Sequence, residues 1–220
     1  MFIGHFGVGF GAKAAEPKIS LGTYFLAAQF LDLLWPVLIL FGVEKVEIKP
    51  GITKVTPLDF TYYPISHSLL MAFVWAIAFG FVSWSFRKNK KAAIILGACV
   101  LSHWILDLIV HRPDLPLYPG SSEKFGLGLW NSLSATLIIE CVFFFGGLML
   151  YWRVTKAINK IGFYGFWLLA ALLLVIYIAT TFGPPPTSIS AIGWTAQLQW
   201  IFILLAYWID RNRVPRVLEI

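Results

Sequence analysis

Six apolar runs, residues 19–43, 66–86, 92–111, 128–152, 162–182 and 191–209, dominate the chain, and each is bounded by charge, Pro or Gly. A helix rises about 1.5 Å per residue, so roughly twenty residues cross about 30 Å of hydrocarbon. Continuous runs of this length favour helices over barrel strands, whose apolar pattern alternates. Hydrophobic residues make up 59% of the 220 and charged residues 13%, more apolar surface than a water-soluble domain of this size can bury. The expected fold is all-α: a polytopic membrane protein with six transmembrane helices in a single transmembrane domain, residues 1–220. A shorter apolar stretch, residues 2–12, ends at Lys13. It is too brief to span, and a half-inserted or interfacial helix is expected there.

The basic residues divide unequally across six crossings. Lys13, Lys18, Arg87, Lys88, Lys90, Lys91, Arg153, Lys156, Lys160, Arg211, Arg213 and Arg216 fall on one side, against Lys45, Lys49, Lys54, Arg112 and Lys124 on the other. The positive-inside rule then places both termini in the cytoplasm. The net charge of +6 reflects this topology and forms no stripe along one element, so nucleic acid is not an expected partner. Cys99 and Cys141 both lie within spans, which leaves no disulfide framework or zinc-thiolate spacing. The opening MFIGHFGVGF has no basic leading region and no clear small-residue cleavage site, so it is expected to persist. Gly7 and Gly11, four apart, permit close helix packing, and most of the Trp residues read as interfacial or packing aromatics.

Ionisable groups inside a span are expensive unless partnered, so each needs an explanation. His103 and Asp107 in LSHWILDLIVH are four apart and share a helix face, a spacing that offers imidazole and carboxylate to one cation. Asp32 sits mid-run in AAQFLDLLWP, and His67 opens the second run in YPISHSLL. Counted from the basic border, Asp32, His103 and Asp107 lie at roughly 21, 18 and 24 Å, one layer in the non-cytoplasmic half, and His67 reaches in from the rim. Two imidazoles and two carboxylates from three spans make a four-ligand metal shell. Glu140, at roughly 20 Å, is expected as a further ligand, a general base or a hydrogen-bond partner. His5, at roughly 12 Å if its helix inserts, would serve a second cation shared through Asp107. His111 and Arg112 are expected at the mouth of the site, where they would bind substrate, Arg112 by steadying an anion. The structural alternative is an interhelical hydrogen-bond network with no ion.

Gly4-His5, the Asp of the first long run, Ser66-His67-Ser68 after a Tyr-Pro approach, and Ser102-His103 with Asp107 resemble the bacterial membrane-bound metal-dependent hydrolases, among them the LexA-binding, inner-membrane-associated hydrolases. The resemblance covers about residues 1–120, leaving 121–220 as supporting helices. The ligand order is also similar to that of zinc-dependent phospholipase C, which implies one zinc on Asp32, His67, His103 and Asp107, with Asp107 bridging to a second near His5. No His follows His111, so a further ligand pair has no counterpart. The resemblance implies a bacterial inner-membrane hydrolase using one or two divalent ions, Zn²⁺ by preference. Its site would open to the non-cytoplasmic side and act on a phosphoester in a membrane lipid or lipid-linked substrate, with Asp107 or Glu140 in the catalytic step. Two other readings fit the same polar set: a proton- or cation-coupled transporter, disfavoured by the missing repeat, and a noncatalytic scaffold or sensor.

Overall fold

The computed structural model describes residues 1–216. In chain order it contains α1 (Ile3–Ala12), α2 (Leu21–Ala28), α3 (Phe30–Leu40), the hairpin strands β1 (Lys45–Ile48) and β2 (Leu58–Tyr62), and the single turn α4 (Pro64–His67). Then follow α5 (Leu69–Arg87), α6 (Lys90–Val110), the short strands β3 (Leu115–Pro116) and β4 (Lys124–Phe125), and α7 (Leu133–Val154). The chain ends with β5 (Thr155–Ala157), α8 (Lys160–Phe182), α9 (Ile189–Ala196), α10 (Gln199–Asp210) and β6 (Arg213–Pro215). α5, α6, α7, α8 and the nearly continuous α9–α10 are long and apolar enough to cross a membrane. The pair α2–α3, bent by 53°, supplies a sixth span if taken together. The small antiparallel ladders β1–β2, β3–β4 and β5–β6 lie in the connections.

Several α5 and α6 side chains, such as Ile77, Phe81 and Ile94, are exposed, as a lipid-facing surface requires. Lipid removes the usual hydrophobic drive between helices, so association depends on close packing. α1 illustrates this. Its ten residues reach about 15 Å, yet Ile3, Phe6 and Phe10 are wholly buried, so the stretch inserts among the spans and does not lie at the interface. Gly7 rests on the backbone of Phe143 and Phe144, and a Cβ at Gly147 would overlap the Gly7 carbonyl. Of the expected Gly7/Gly11 pair, Gly7 makes the tight contact; a Cβ at Gly11 would meet only ordinary van der Waals neighbours.

The two ends of the bundle differ as the charge partition requires. At one end Lys13 Nζ meets Asp210 Oδ2 at 2.6 Å, Lys91 approaches Glu16, and β5 pairs with β6. At the other lie the β1–β2 hairpin and β3–β4, with the Lys54 amide donating to the Trp130 carbonyl. The basic end holds the far end of α1 and the close of α10. The Met1 amino group lies 2.6 Å from Asp107 Oδ1, inside the bundle. A helix this short, entering from the basic end, carries its first residue to mid-depth.

The first apolar run departs from the single helix expected of residues 19–43. It breaks at Gln29, with φ −98° and ψ 6°. Farther on, Pro36 stands inside α3. Proline has no N–H for the carbonyl four residues earlier, which here is Asp32's; that oxygen instead accepts from Gln199 Nε2 of α10 at 3.3 Å.

Candidate metal centre

The break at Gln29 turns the Ala28 carbonyl toward α6, where it accepts from His103 Nδ1 at 2.8 Å. A carbonyl can only accept, so His103 carries its proton on Nδ1 and presents a lone pair at Nε2. That Nε2 is fully buried and has no hydrogen-bond partner.

His67 is fixed by the same logic. It closes the short turn α4 and does not open the second span, because Ser68 is extended and caps α5, accepting from the Met71 amide. Ser66 Oγ donates to Glu44 Oε2 at 2.5 Å and so accepts from His67 Nδ1 at 2.7 Å. Glu44 is held in turn by the amides of Ile65 and Ser66 at 2.7 and 2.8 Å. Trp104 and Trp75 pin the turn from outside, donating to the carbonyls of His67 and Ile65.

Four donor atoms converge as a result. His67 Nε2 lies 3.6 Å from Asp32 Oδ1 and 3.5 Å from Asp107 Oδ2; His103 Nε2 lies 3.5 Å from Asp32 Oδ1 and 3.4 Å from Asp107 Oδ2. Ordinary charge-assisted hydrogen bonds are shorter, about 2.7–2.9 Å. Tetrahedral zinc with nitrogen and oxygen ligands at about 2.0–2.2 Å has ligand–ligand edges of roughly 3.3–3.6 Å. These four imidazole–carboxylate distances fall within the range of such edges, and both imidazoles aim Nε2 inward with Nδ1 hydrogen-bonded behind, as metal-ligating histidines do. Asp32, His67 and His103 offer mutually close ligand atoms that could hold a metal ion, with Asp107 beside the two imidazoles. Asp32 is the most exposed of the four, with 23% of its side chain accessible against 3% or less for the other three.

Asp107 divides its oxygens. Oδ2 faces the two imidazoles, while Oδ1 meets the Met1 amino group and His5 Nε2, the latter at 3.1 Å. The His5 ring stacks on His103 at 3.7 Å, nearly parallel. His5, His103 and Asp107 form one group with ligand atoms near one another, and Asp32, His67 and His103 another; the member common to both is His103.

His111 is buried and not at an open mouth. Its Nδ1 lies 2.8 Å from Asp114 Oδ1 and its Nε2 3.8 Å from Asp107 Oδ2. Tyr63 also donates to Asp114 Oδ1, at 2.6 Å. Burial, then the adjacent Asp114 charge, hold the Tyr63 hydroxyl well above the ordinary tyrosine range, so it stays a donor throughout the working pH range.

Two expected site residues have other partners. Arg112 pairs with Asp59 of β2 and with Asp114, clamping the hairpin to the end of α6. Glu140 accepts from the amides of Phe2 and Gly4 at 3.0–3.1 Å, satisfying N–H groups that the start of α1 leaves unpaired. Both carboxylate oxygens are taken up by these amides.

Glu44 and Ser66 were missed by reasoning on the sequence. Ser66 adjoins His67 and was a legible cue; Glu44 arrives from beyond a hairpin and was not. Replacing Ser66 by alanine leaves His67 Nδ1 without its acceptor, and the affinity for any metal ion held through His67 is expected to fall about 10- to 100-fold, measured by chelator competition.

The model of the YdjM inner membrane protein family matches residues 63–184, more than half of the chain. The match takes in His67, His103, Asp107 and His111 and leaves out His5 and Asp32. No curated protein and no solved structure matches the chain. With its apolar spans and this match, the chain belongs to the YdjM inner membrane protein family and is an integral inner-membrane protein.

Proposed function

We propose that the protein is a metal-dependent hydrolase acting on a phosphoester in a membrane lipid or lipid-linked substrate. The observation that carries this reading is the inward convergence of His67 Nε2 and His103 Nε2 on Asp32 and Asp107 at zinc-like spacing, with His103 Nε2 otherwise unpartnered. Asp32, His67, His103 and Asp107 hold the ion, and His5 serves a second one through Asp107. A zinc ion supplies Lewis acidity, polarising the ester and making water acidic enough to provide hydroxide near neutral pH.

The protein's own residues do the rest. With Glu140 engaged by α1, the general base is His111, whose Nδ1 is oriented by Asp114 and whose Nε2 stands beside Asp107. Such a pair takes a proton at Nε2 while the carboxylate steadies the imidazolium. Arg112 and Asp59 hold the hairpin over this end, and Glu140 holds α1 so that His5 stays against Asp107. The partly exposed Asp32 admits substrate.

The test is metal analysis of the detergent-purified full chain, with hydrolysis of bis(p-nitrophenyl) phosphate as a general probe. About one to two zinc ions per chain and chelator-sensitive turnover are expected. A metal-free protein whose thermal stability ignores chelator would sink the proposal and favour the scaffold.

A further inference from the structure

With Arg112 engaged by Asp59 and Asp114, the centre needs other groups to orient a substrate. Among the described residues Gln29 Oε1 and Nε2, Trp35 Nε1 and Gln199 Oε1 are buried and unpartnered, a state that natural proteins rarely leave unexplained. All three residues adjoin Asp32, the most exposed of the four proposed ligands. Gln29, which caps α3, and Trp35 stand three residues before and three after it, each about 60° from Asp32 around the helix axis. Gln29 follows Ala28, whose carbonyl orients His103. The Trp35 ring packs on Phe60 at 5.5 Å, and Phe60 lies 4.9 Å from His111. Gln199 donates through Nε2 to the carbonyl of Asp32 itself, leaving its Oε1 free.

We propose that Gln29, Trp35 and Gln199 are substrate-binding residues that recognise an uncharged, hydroxyl-bearing group, such as a glycerol or sugar unit esterified to the phosphate. This rests on the hydrolase reading and adds the substrate class. The chemistry decides the class. The free atoms comprise two acceptors, the amide oxygens of Gln29 and Gln199, and two donors, Gln29 Nε2 and the Trp35 indole N–H. An ionised phosphate oxygen only accepts, so a doubly ionised phosphate would face two amide oxygens and the Asp32 carboxylate with no proton to donate. A hydroxyl both donates and accepts and satisfies either kind of atom. Sites that hydrogen-bond a substrate hydroxyl discriminate strongly against analogues lacking it, because their own buried groups are then left unpaired.

Binding can be measured apart from turnover. The full chain in nanodiscs is titrated with phosphatidylglycerol and with phosphatidic acid, and in detergent with free glycerol 1-phosphate, following tryptophan fluorescence and thermal stability. Phosphatidylglycerol is expected to bind at least about tenfold more tightly than phosphatidic acid. Gln29→Leu and Gln199→Leu are each expected to remove about tenfold of that preference without changing zinc content. Trp35→Phe keeps the ring and removes only the N–H, so it tests the same set if a Leu variant fails to fold. Glycerol 1-phosphate binding as tightly as the lipid supports the recognised group and assigns it to a soluble source. Equal binding of the two lipids, or variants that discriminate as well as wild type, overturns the inference. Selective binding without any hydrolysis retains it and sinks the hydrolase reading; equal hydrolysis of both lipids does the reverse.

Discussion

His103→Ala is expected to weaken zinc binding by at least about a thousandfold and to abolish hydrolysis, with little loss of folded protein. Removing a partner that only supports a metal ligand already costs about 10- to 100-fold in affinity, and in the proposed centre His103 is itself a ligand, through an Nε2 that has no hydrogen-bond partner. Its loss also releases the Ala28 carbonyl, a neutral acceptor whose lost partner costs about 1–3 kcal/mol, less than a broken buried ion pair. Asp107→Asn should behave differently. Asp107 serves both the imidazole pair and the Met1 amino group, and removing one side of a buried ion pair costs about 3–5 kcal/mol. The Asn variant is therefore expected to lose metal and to unfold at lower temperature even in the presence of chelator. Equilibrium dialysis with a competing chelator, together with thermal unfolding with and without zinc, separates the two. If His103→Ala keeps wild-type zinc affinity, the assignment of Nε2 as a ligand is wrong.

The second large effect concerns packing. Gly147→Val places a branched side chain where the Gly7 carbonyl now lies. Backbone cannot yield as a flexible side chain can, so α1 must move off α7, and a destabilisation of about 3 kcal/mol or more is expected. Because α1 carries His5 and delivers Met1 to Asp107, any protein that still folds should bind weakly the second ion proposed for His5. Gly146→Ala supplies the contrast. Nothing lies within 4 Å of a Cβ at that position, and alanine favours helix over glycine by about 1 kcal/mol, so this variant should be as stable as wild type or slightly more so. Thermal melts in one detergent decide it; equal losses for both would mean that α1 does not pack as described.

Much of the centre was legible because helices convert spacing into direction. His103 and Asp107 are one turn apart, and their 3.4 Å contact follows from that alone. Asp32 could be placed in the same layer by counting from a basic border. The run 2–12 was legible as too short to span, and its wholly buried Phe6 and Phe10 agree with half-insertion.

What the sequence hid were contacts made between elements far apart in the chain. Glu44 reaches Ser66 across a hairpin, and Asp59 reaches Arg112 from the same hairpin; no periodicity encodes either meeting. An apolar run cannot reveal a bend, so the break at Gln29 passed unseen, although Pro36 four residues after Asp32 was a cue that the Asp32 carbonyl would need a partner. Glu140 lay at the right depth, yet depth says nothing of azimuth around the helix, and its carboxylate faces the amides of Phe2 and Gly4.

Cobalt substitution tests the convergence of the four ligands most directly. The full chain, stripped of metal and titrated with Co²⁺, is predicted to develop the intense visible bands of a tetrahedral nitrogen–oxygen site. One equivalent should saturate them, zinc should displace them, and His67→Ala and His103→Ala should lack them. A titration giving only the weak spectrum of hydrated cobalt, unchanged by either substitution, would contradict the account.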